Sequence, residues 1–374
     1  VTSRWLLALL ALALACTPAR PKRERPLAPA ARAQVGLPGP TTPPPERLRV
    51  HVIDVGQGLA VLFEFPCAAV LVDAGGEDSS RFNGTKALMD YLHAFFERRA
   101  DLNHSLATVF VTHPHLDHTR ALPAVMGAFT VKHLVTNGMP KGATGVQFES
   151  GGEQQDAAER QMKARGALRT VFREEVQPGV GLTDGHIDAV QCGAVDPKLS
   201  VLWGALKENT EAWEPRAFLN ANNHSLAIKV SVDGHDVLVP GDLETEALHS
   251  LLAEHGAAAL NVDVYVVGHH GSHNGVTMDL VKAMTPCVAV IPMGSAARED
   301  DWTAWQYGHP RKVAVQTVHQ GLGCSRPRRD VQVALGMRRF EGFTVTHALY
   351  GTGWEGTVVL EVNEGGGWRT VTER

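Results

Sequence analysis

Apolar positions along the chain fall in short runs, each ended by a turn residue, with longer segments of helical spacing between some of them. Residues 48–55, 59–65 and 69–73 are β-branched and punctuated by Gly, Pro or Asp, which predicts three strands. Residues 85–99 place Leu88, Met89, Leu92, Phe95 and Phe96 at helical intervals, so a helix is expected next. Further strand-like runs occupy 107–112, 236–240 and 262–268. Strands alternating with helix predict a layered α/β architecture. Between 137 and 220 the chain turns polar and Gly-rich, with a helix expected over 154–167, and this stretch reads as an insertion.

The ends of the apolar runs carry the chemistry. His113-Pro114-His115-Leu116-Asp117-His118 follows the run at 107–112 and packs three imidazoles and a carboxylate into six residues. Pro114 cannot continue a strand's hydrogen-bond ladder, so the strand should stop where these residues begin. Neutral nitrogen with anionic oxygen suits zinc, manganese or iron better than calcium or magnesium. Three other runs end in Asp73, in Asp242, and in His269-His270-Gly271-Ser272. Four strand ends therefore deliver Asp, His-x-His-x-Asp-His, Asp and His-His to loops, which is how a metal site is assembled on a rigid scaffold.

The amino-terminal portion has a different pattern. Arg4 precedes an unbroken apolar run over 5–15, too short to span a membrane, and Ala13-Leu14-Ala15 provides small residues before a cut. An export signal over 1–15 is expected, with Cys16 as the lipidated first residue of a bacterial lipoprotein. Residues 16–47 are rich in Pro, Ala and Arg without hydrophobic period, which predicts an extended linker holding a domain over 48–374 off the membrane. Cys67, Cys192, Cys287 and Cys324 remain, and an oxidising compartment would permit disulfides among them. The three pairings and the alternative of buried free thiols stay open.

Charge narrows the partners. A net charge of −5 over 374 residues argues against bulk attraction to nucleic acid, so any such contact must be local. Arg311, Lys312, Arg326, Arg328, Arg329, Arg338 and Arg339 gather late in the chain, either as a phosphate track or as a solvated face. His93, His104, His249 and His255 are read as structural.

The ordered set of strand-end residues resembles the metallo-β-lactamase superfamily, and within it the hydrolase domain of competence-type (ComEC-like) DNA-uptake proteins. Val50-His51-Val52-Ile53-Asp54-Val55-Gly56-Gln57-Gly58, Asn222-Asn223-His224-Ser225-Leu226, Gly268-His269-His270-Gly271-Ser272 and Gly308-His309-Pro310 extend the likeness over about 48–362. The resemblance implies a four-layer αββα sandwich and two divalent ions, zinc first and manganese second. It implies that His113 and His115 hold the first ion, Asp117 and His118 the second, that Asp242 bridges them, and that His269 or His270 completes the second site. Asp73 would orient ligands from behind. The superfamily's third histidine for the first ion is replaced: Asn222 stands there, with His224 nearby.

Asp117, Asn222 and His309 are the residues assigned to the reaction, with Ser272 and Asn274 as further contacts. The resulting expectation is an exported metal-dependent hydrolase of phosphodiesters, nucleic acid among them, anchored to the membrane through Cys16 and needing no obligate protein partner. The alternatives are a lactone or β-lactam hydrolase on the same fold and a surface metal-binding lipoprotein without catalysis. Oxygen-handling di-iron relatives are disfavoured, because their loop has Glu where this chain has His115.

Overall fold

The computed structural model describes residues 43–193, 195–362 and 366–373. The export segment, Cys16 and most of the linker lie outside the described residues. Among these residues no helix is long and apolar enough to cross a membrane.

In chain order the strands are β1 (Arg49–Val52), β2 (Val61–Glu64), β3 (Ala69–Val72), β4 (Asp78–Ser79), β5 (Phe82–Asn83), β6 (Ser105–Val111), β7 (Thr130–Thr136), β8 (Leu168–Thr170) and β9 (Lys198–Trp203). They continue as β10 (Ala227–Val232), β11 (His235–Val239), β12 (Val264–Val266), β13 (Val288–Ile291), β14 (Ser325–Gly336), β15 (Arg339–His347), β16 (Leu349–Gly351), β17 (Thr357–Val362) and β18 (Trp368–Glu373). One sheet has the order β18-β17-β1-β2-β3-β6-β7-β8 and a second β16-β13-β12-β11-β10-β9. β14–β15 and β4–β5 form separate two-stranded ribbons.

Alternation along the strands decides the layering. Val61 and Phe63 enter one core cluster with Val50, Val70, Ile228, Val237, Val264 and Val288, which lies between the sheets. Leu62 and Leu71 face the other way, against Leu88, Leu92, Phe95 and Phe96 of the helix Gly84–Arg98. On the far side of the second sheet, Leu238, Tyr265 and Ala289 pack with Leu248, Leu251, Leu280, Val281, Val315 and Val318 from three helices. Helix, sheet, sheet, helix is the four-layer arrangement expected. Central strands buried on both faces explain the unbroken apolar runs in the sequence.

The helix Gly84–Arg98 starts where Asn83 caps it, its side chain accepting from the Lys86 N–H at 2.7 Å. Burying Leu92 or Phe96 there contributes about 1.5–3 kcal/mol each.

The parallel strands place the functional loops. β3, β6, β7 and β8 run parallel, as do β11, β12, β13 and β16. Asp73, His113 to His118, Asp242 and His269-His270 all follow the carboxyl ends of such strands, the usual place for a site in an open α/β sheet.

The stretch 137–220 is woven into the fold. It supplies the helix Gly152–Lys163, the edge strand β8 of the first sheet and the edge strand β9 of the second. β8 is only half-buried, so it lacks the strong apolar pattern that marks a central strand. Two disulfides, Cys67–Cys192 and Cys287–Cys324, settle the pairing that sequence left open. The first ties the β2–β3 turn to this same stretch.

Candidate metal centre

Asp73 begins the site. Its backbone is left-handed, φ 59°, a conformation Asp tolerates better than most residues. The buried carboxylate accepts from the Thr112 N–H and the Thr112 hydroxyl, both at 2.7 Å, and lies 2.7 Å from His118 Nδ1. Asp73 thus fixes the start of the His-rich loop and one of its rings. Gly75 lets that loop approach, because a Cβ there would lie 1.6 Å from the Asp117 carbonyl oxygen.

Asp117, His118, Asp242 and His270 come together, with one ligand atom from each lying within 4.8 Å of the others. His118 Nε2 is 3.2 Å from Asp242 Oδ2 and 3.3 Å from His270 Nε2. His270 Nε2 is 3.2 Å from Asp117 Oδ2 and 3.4 Å from Asp242 Oδ2. The outer nitrogens of both rings are taken: His118 Nδ1 by Asp73, His270 Nδ1 by the Pro292 carbonyl at 2.9 Å. Their inner nitrogens therefore converge with two carboxylates on one point, the donor set of a borderline-soft divalent cation.

Beside this cluster His113 Nε2 and His115 Nδ1 lie 3.1 Å apart. The far side of His113 meets Ser225 Oγ at 3.2 Å, and the same hydroxyl accepts from the Asp242 N–H at 3.1 Å. Ser225 thereby links the Asn-Asn-x-Ser segment to both ligand loops. His115 Nε2 is 3.6 Å from Glu149 Oε2, a carboxylate from the 137–220 stretch, and the Leu116 N–H donates to Ser150 Oγ at 3.2 Å. That stretch borders the site.

The electrostatics suit a cation. The ion-pair partners of Asp73, Asp117 and Asp242 among the described residues are all imidazoles. Burial opposes charge on His118, but Asp242 and Asp73 outweigh it and hold the ring well above the usual imidazole range. His270, buried beside Asp242 and Asp117, is pushed up to about 10. Protons on these rings stand in for the positive charge the carboxylates demand. Burial and the neighbouring His118 and His115 push His113 down, which keeps it neutral as a ligand must be.

His269 and His270 both have left-handed backbones, φ 48° and 52°. The turn sends only His270 into the cluster. His269 instead lies beside Glu244, with Nδ1 3.6 Å from its Oε1 and Nε2 3.9 Å from Asp242 Oδ2. Asn222 donates from Nδ2 to Glu244 Oε1 at 2.9 Å, while its buried Oδ1 has no hydrogen-bond partner. His224 is withdrawn: Nδ1 accepts from the Leu206 N–H at 3.1 Å and Nε2 meets the Phe218 carbonyl at 2.6 Å. Of the two residues considered for the first ion, only Asn222 keeps an open donor atom.

His309 is buried at the rim, its ring centre 5.9 Å from His269 and 6.1 Å from His270. Burial and these two imidazoles push it well below the usual range. Ser272 Oγ donates to Asn274 Oδ1 at 2.7 Å. The late basic residues are largely compensated: Arg326 and Arg329 both pair with buried Glu355, Lys312 with Glu341 and Arg338 with Asp301.

Sequence reasoning missed Thr112, Ser225, Glu244 and Glu149, whose roles depend on contacts between distant loops. Only Ser225 had a signal, through its place in the Asn-Asn-x-Ser segment.

The family model described as the metallo-beta-lactamase superfamily matches residues 53–139, the segment holding Asp73 and the whole His-rich loop. The chain carries a metallo-beta-lactamase superfamily domain. It is also 25% identical over 284 residues to ComE operon protein 3 of Bacillus subtilis, covering 72% of this chain and 30% of that one. Competence protein ComA of Neisseria gonorrhoeae is 32% identical over 120 residues, 32% of this chain and 16% of that protein. The chain therefore spans less than a third of the length of either relative. Among solved structures, the metallo-beta-lactamase fold protein YhfI from Bacillus subtilis has a TM-score of 0.38 at 10% identity, over 74% of this chain and 94% of that one. Human tRNase Z, short form, has a TM-score of 0.35 at 13% identity, over 68% and 97%. Asp117 and His118 of the converging cluster lie inside the matched segment, whereas Asp242 and His270 lie beyond it.

Proposed function

We propose that the protein is a metal-dependent phosphodiesterase that holds two divalent ions, zinc or manganese, side by side in the cradle. The observation that carries this reading is the convergence of Asp117, His118, Asp242 and His270 on one point, with the His113 and His115 nitrogens paired next to it. Two cations so placed supply Lewis acidity toward a phosphoryl oxygen and activate water for an in-line displacement. Asp242 would be the carboxylate held in common by the two ions, and Asn222, whose buried Oδ1 has no hydrogen-bond partner, would offer an oxygen to the first.

The protein's own residues orient and exclude water. Asp73 and the Pro292 carbonyl fix the two rings of the second site, and Ser225 fixes His113. The likeness to proteins named for competence favours nucleic acid among phosphodiesters. The compensated arginines favour recognition near the metal centre over a long basic track.

Export and a lipid anchor at Cys16 belong to the same proposal. The Arg4 and 5–15 pattern supports them, and two disulfides suit an oxidising compartment. Protein reconstituted with zinc or manganese should hydrolyse bis(p-nitrophenyl) phosphate and single-stranded DNA in preference to a lactone or a β-lactam. Turnover of the lactone or β-lactam alone would replace this reading with the alternative chemistry, and metal binding without turnover of any of the four would leave a binding protein.

A further inference from the structure

His309 is tied to the rest of the rim by one side chain from the other sheet's loops. Gln57 follows β1, is 3% exposed, and its Nε2 lies 3.0 Å from His309 Nδ1, a contact across 252 residues of sequence. The loop that carries Gln57 is pinned. Its backbone N–H donates to Glu77 Oε2 at 3.1 Å, and buried Glu77 also accepts from the Ser79 hydroxyl at 2.8 Å. Gly56 has φ 73° and a Cβ there would fall 2.5 Å from Glu77 Cβ, so the loop has little freedom to move the amide.

An amide N–H donates, and a ring nitrogen that receives it must hold a lone pair. His309 then carries its single proton on Nε2. Turning the Gln57 amide would leave a buried N–H unpaired, where the observed arrangement leaves Oε1 unpaired. An orphaned acceptor is the commoner and milder case.

We propose that Gln57 is a positioning residue that holds His309 as an Nε2–H donor to the leaving oxygen of the phosphodiester; the last clause rests on the function proposed above. As the bond from the attacking water's oxygen to phosphorus forms, the P–O bond to the leaving group breaks. The Nε2 proton passes to the leaving oxygen, which leaves an imidazolate whose Nδ1 still accepts from Gln57, and a proton returns to Nε2 from solvent, which takes up the one released by the attacking water. The ring ends as it began.

The test uses the zinc-loaded full chain labelled with 15N-histidine, with the His309 signals assigned by their loss in His309→Ala. Nitrogen correlation spectra should place the proton on Nε2 in the wild type. Gln57→Glu, which offers an acceptor only, should move it to Nδ1, and Gln57→Leu should give a mixture of the two. A wild-type proton on Nδ1, or an Nε2 proton that stays in place in Gln57→Glu, overturns the proposal.

Kinetics test the leaving-group role. A dinucleotide leaves as a poor alkoxide and bis(p-nitrophenyl) phosphate as a good phenolate, so Gln57→Glu should lower kcat on the dinucleotide by about a hundredfold more than on the activated diester, the lower end of the 10²–10⁴ range of general acid catalysis. Equal losses remove His309 from the leaving group. A wild type that cleaves neither diester defeats the phosphodiesterase reading, and the proton's location still decides the role of Gln57.

Discussion

Two buried charged clusters occupy opposite ends of the larger sheet, and their composition separates a structural network from a functional one. β2 pairs Val61 with Val72, next to the metal centre, and Glu64 with Ala69 at the other end. There Glu64 is met by Arg98 at 2.7 Å, Arg99 at 3.0 Å, His51 at 3.2 Å and Arg49 at 3.3 Å. Arg49 and Arg99 pass their remaining donors to Glu361 and Asp101. Fixed cations answer the carboxylate, and the network closes on itself. At the metal end the ion-pair partners of the three carboxylates among the described residues are imidazoles, whose charge depends on protonation. A cluster of that kind has the donor set to take up a cation, in keeping with the proposed function.

The comparison breaks most sharply at Asp242. Asp242→Ala should remove bound metal and lower turnover together, by about a thousandfold if several kcal/mol of Lewis-acid stabilisation are lost. Metal analysis and the diester assay check this; two metals retained at full rate would remove Asp242 from the site. The same substitution should leave the Glu64 end untouched.

Glu64→Gln should act the other way. It leaves three guanidinium groups partly unanswered in a buried place, a loss of about 3–5 kcal/mol, read as a lower urea midpoint with metal stoichiometry unchanged. Burial alone would raise the Glu64 carboxyl, but His51 and the arginines outweigh it and hold the group well below the usual carboxylate range. A folded pKa depressed in this way contributes stability that is present above the ordinary value of 4.5 and is lost as pH falls from there toward the folded value. The gap between wild type and Glu64→Gln should therefore be widest near neutrality and shrink in acid. A gap that widens in acid would reverse the sign.

Asp73→Asn tests the border between orientation and ligation. Asn tolerates the left-handed backbone and keeps one acceptor, so the fold should hold while His118 loses the charged partner at Nδ1 and keeps Asp242 at Nε2. Metal affinity should drop about 10–100-fold, measured by competition with a chelator. The smallest effect is expected at Arg328, which is exposed and makes only long contacts, to Asp330 at 3.6 Å and to the Thr344 hydroxyl at 3.5 Å, among the described residues: Arg328→Ala should leave both stability and the salt dependence of DNA cleavage unchanged.

The two clusters also differ in how far the sequence discloses them. Asp73, the His-rich loop, Asp242 and His269-His270 each terminate an apolar run, so local pattern alone marks them as loop residues with ligand chemistry. Glu64 sits in a strand and Arg98 and Arg99 at a helix end, where each charge has an ordinary local explanation and only tertiary packing joins them. Pairing of Cys67 with Cys192 and of Gln57 with His309 is likewise a matter of distance in the fold. β8 is hidden in the 137–220 stretch because a half-buried edge strand needs no apolar alternation, whereas β9 carries buried Leu199, Val201, Leu202 and Trp203, an apolar run too short to stand out in a stretch that is polar overall. The choice of His270 over His269 follows from two successive left-handed residues, a backbone feature that residue type does not announce.

If the proposed function holds, the carboxylate-rich end takes up metal and the arginine-rich end does not. Anomalous diffraction at the zinc edge from crystals of the zinc-loaded full chain measures this directly. A strong peak is expected bounded by Asp117, His118, Asp242 and His270, a second beside His113 and His115, and none near Glu64. Crystals with those side chains ordered and no anomalous peak among them would contradict it.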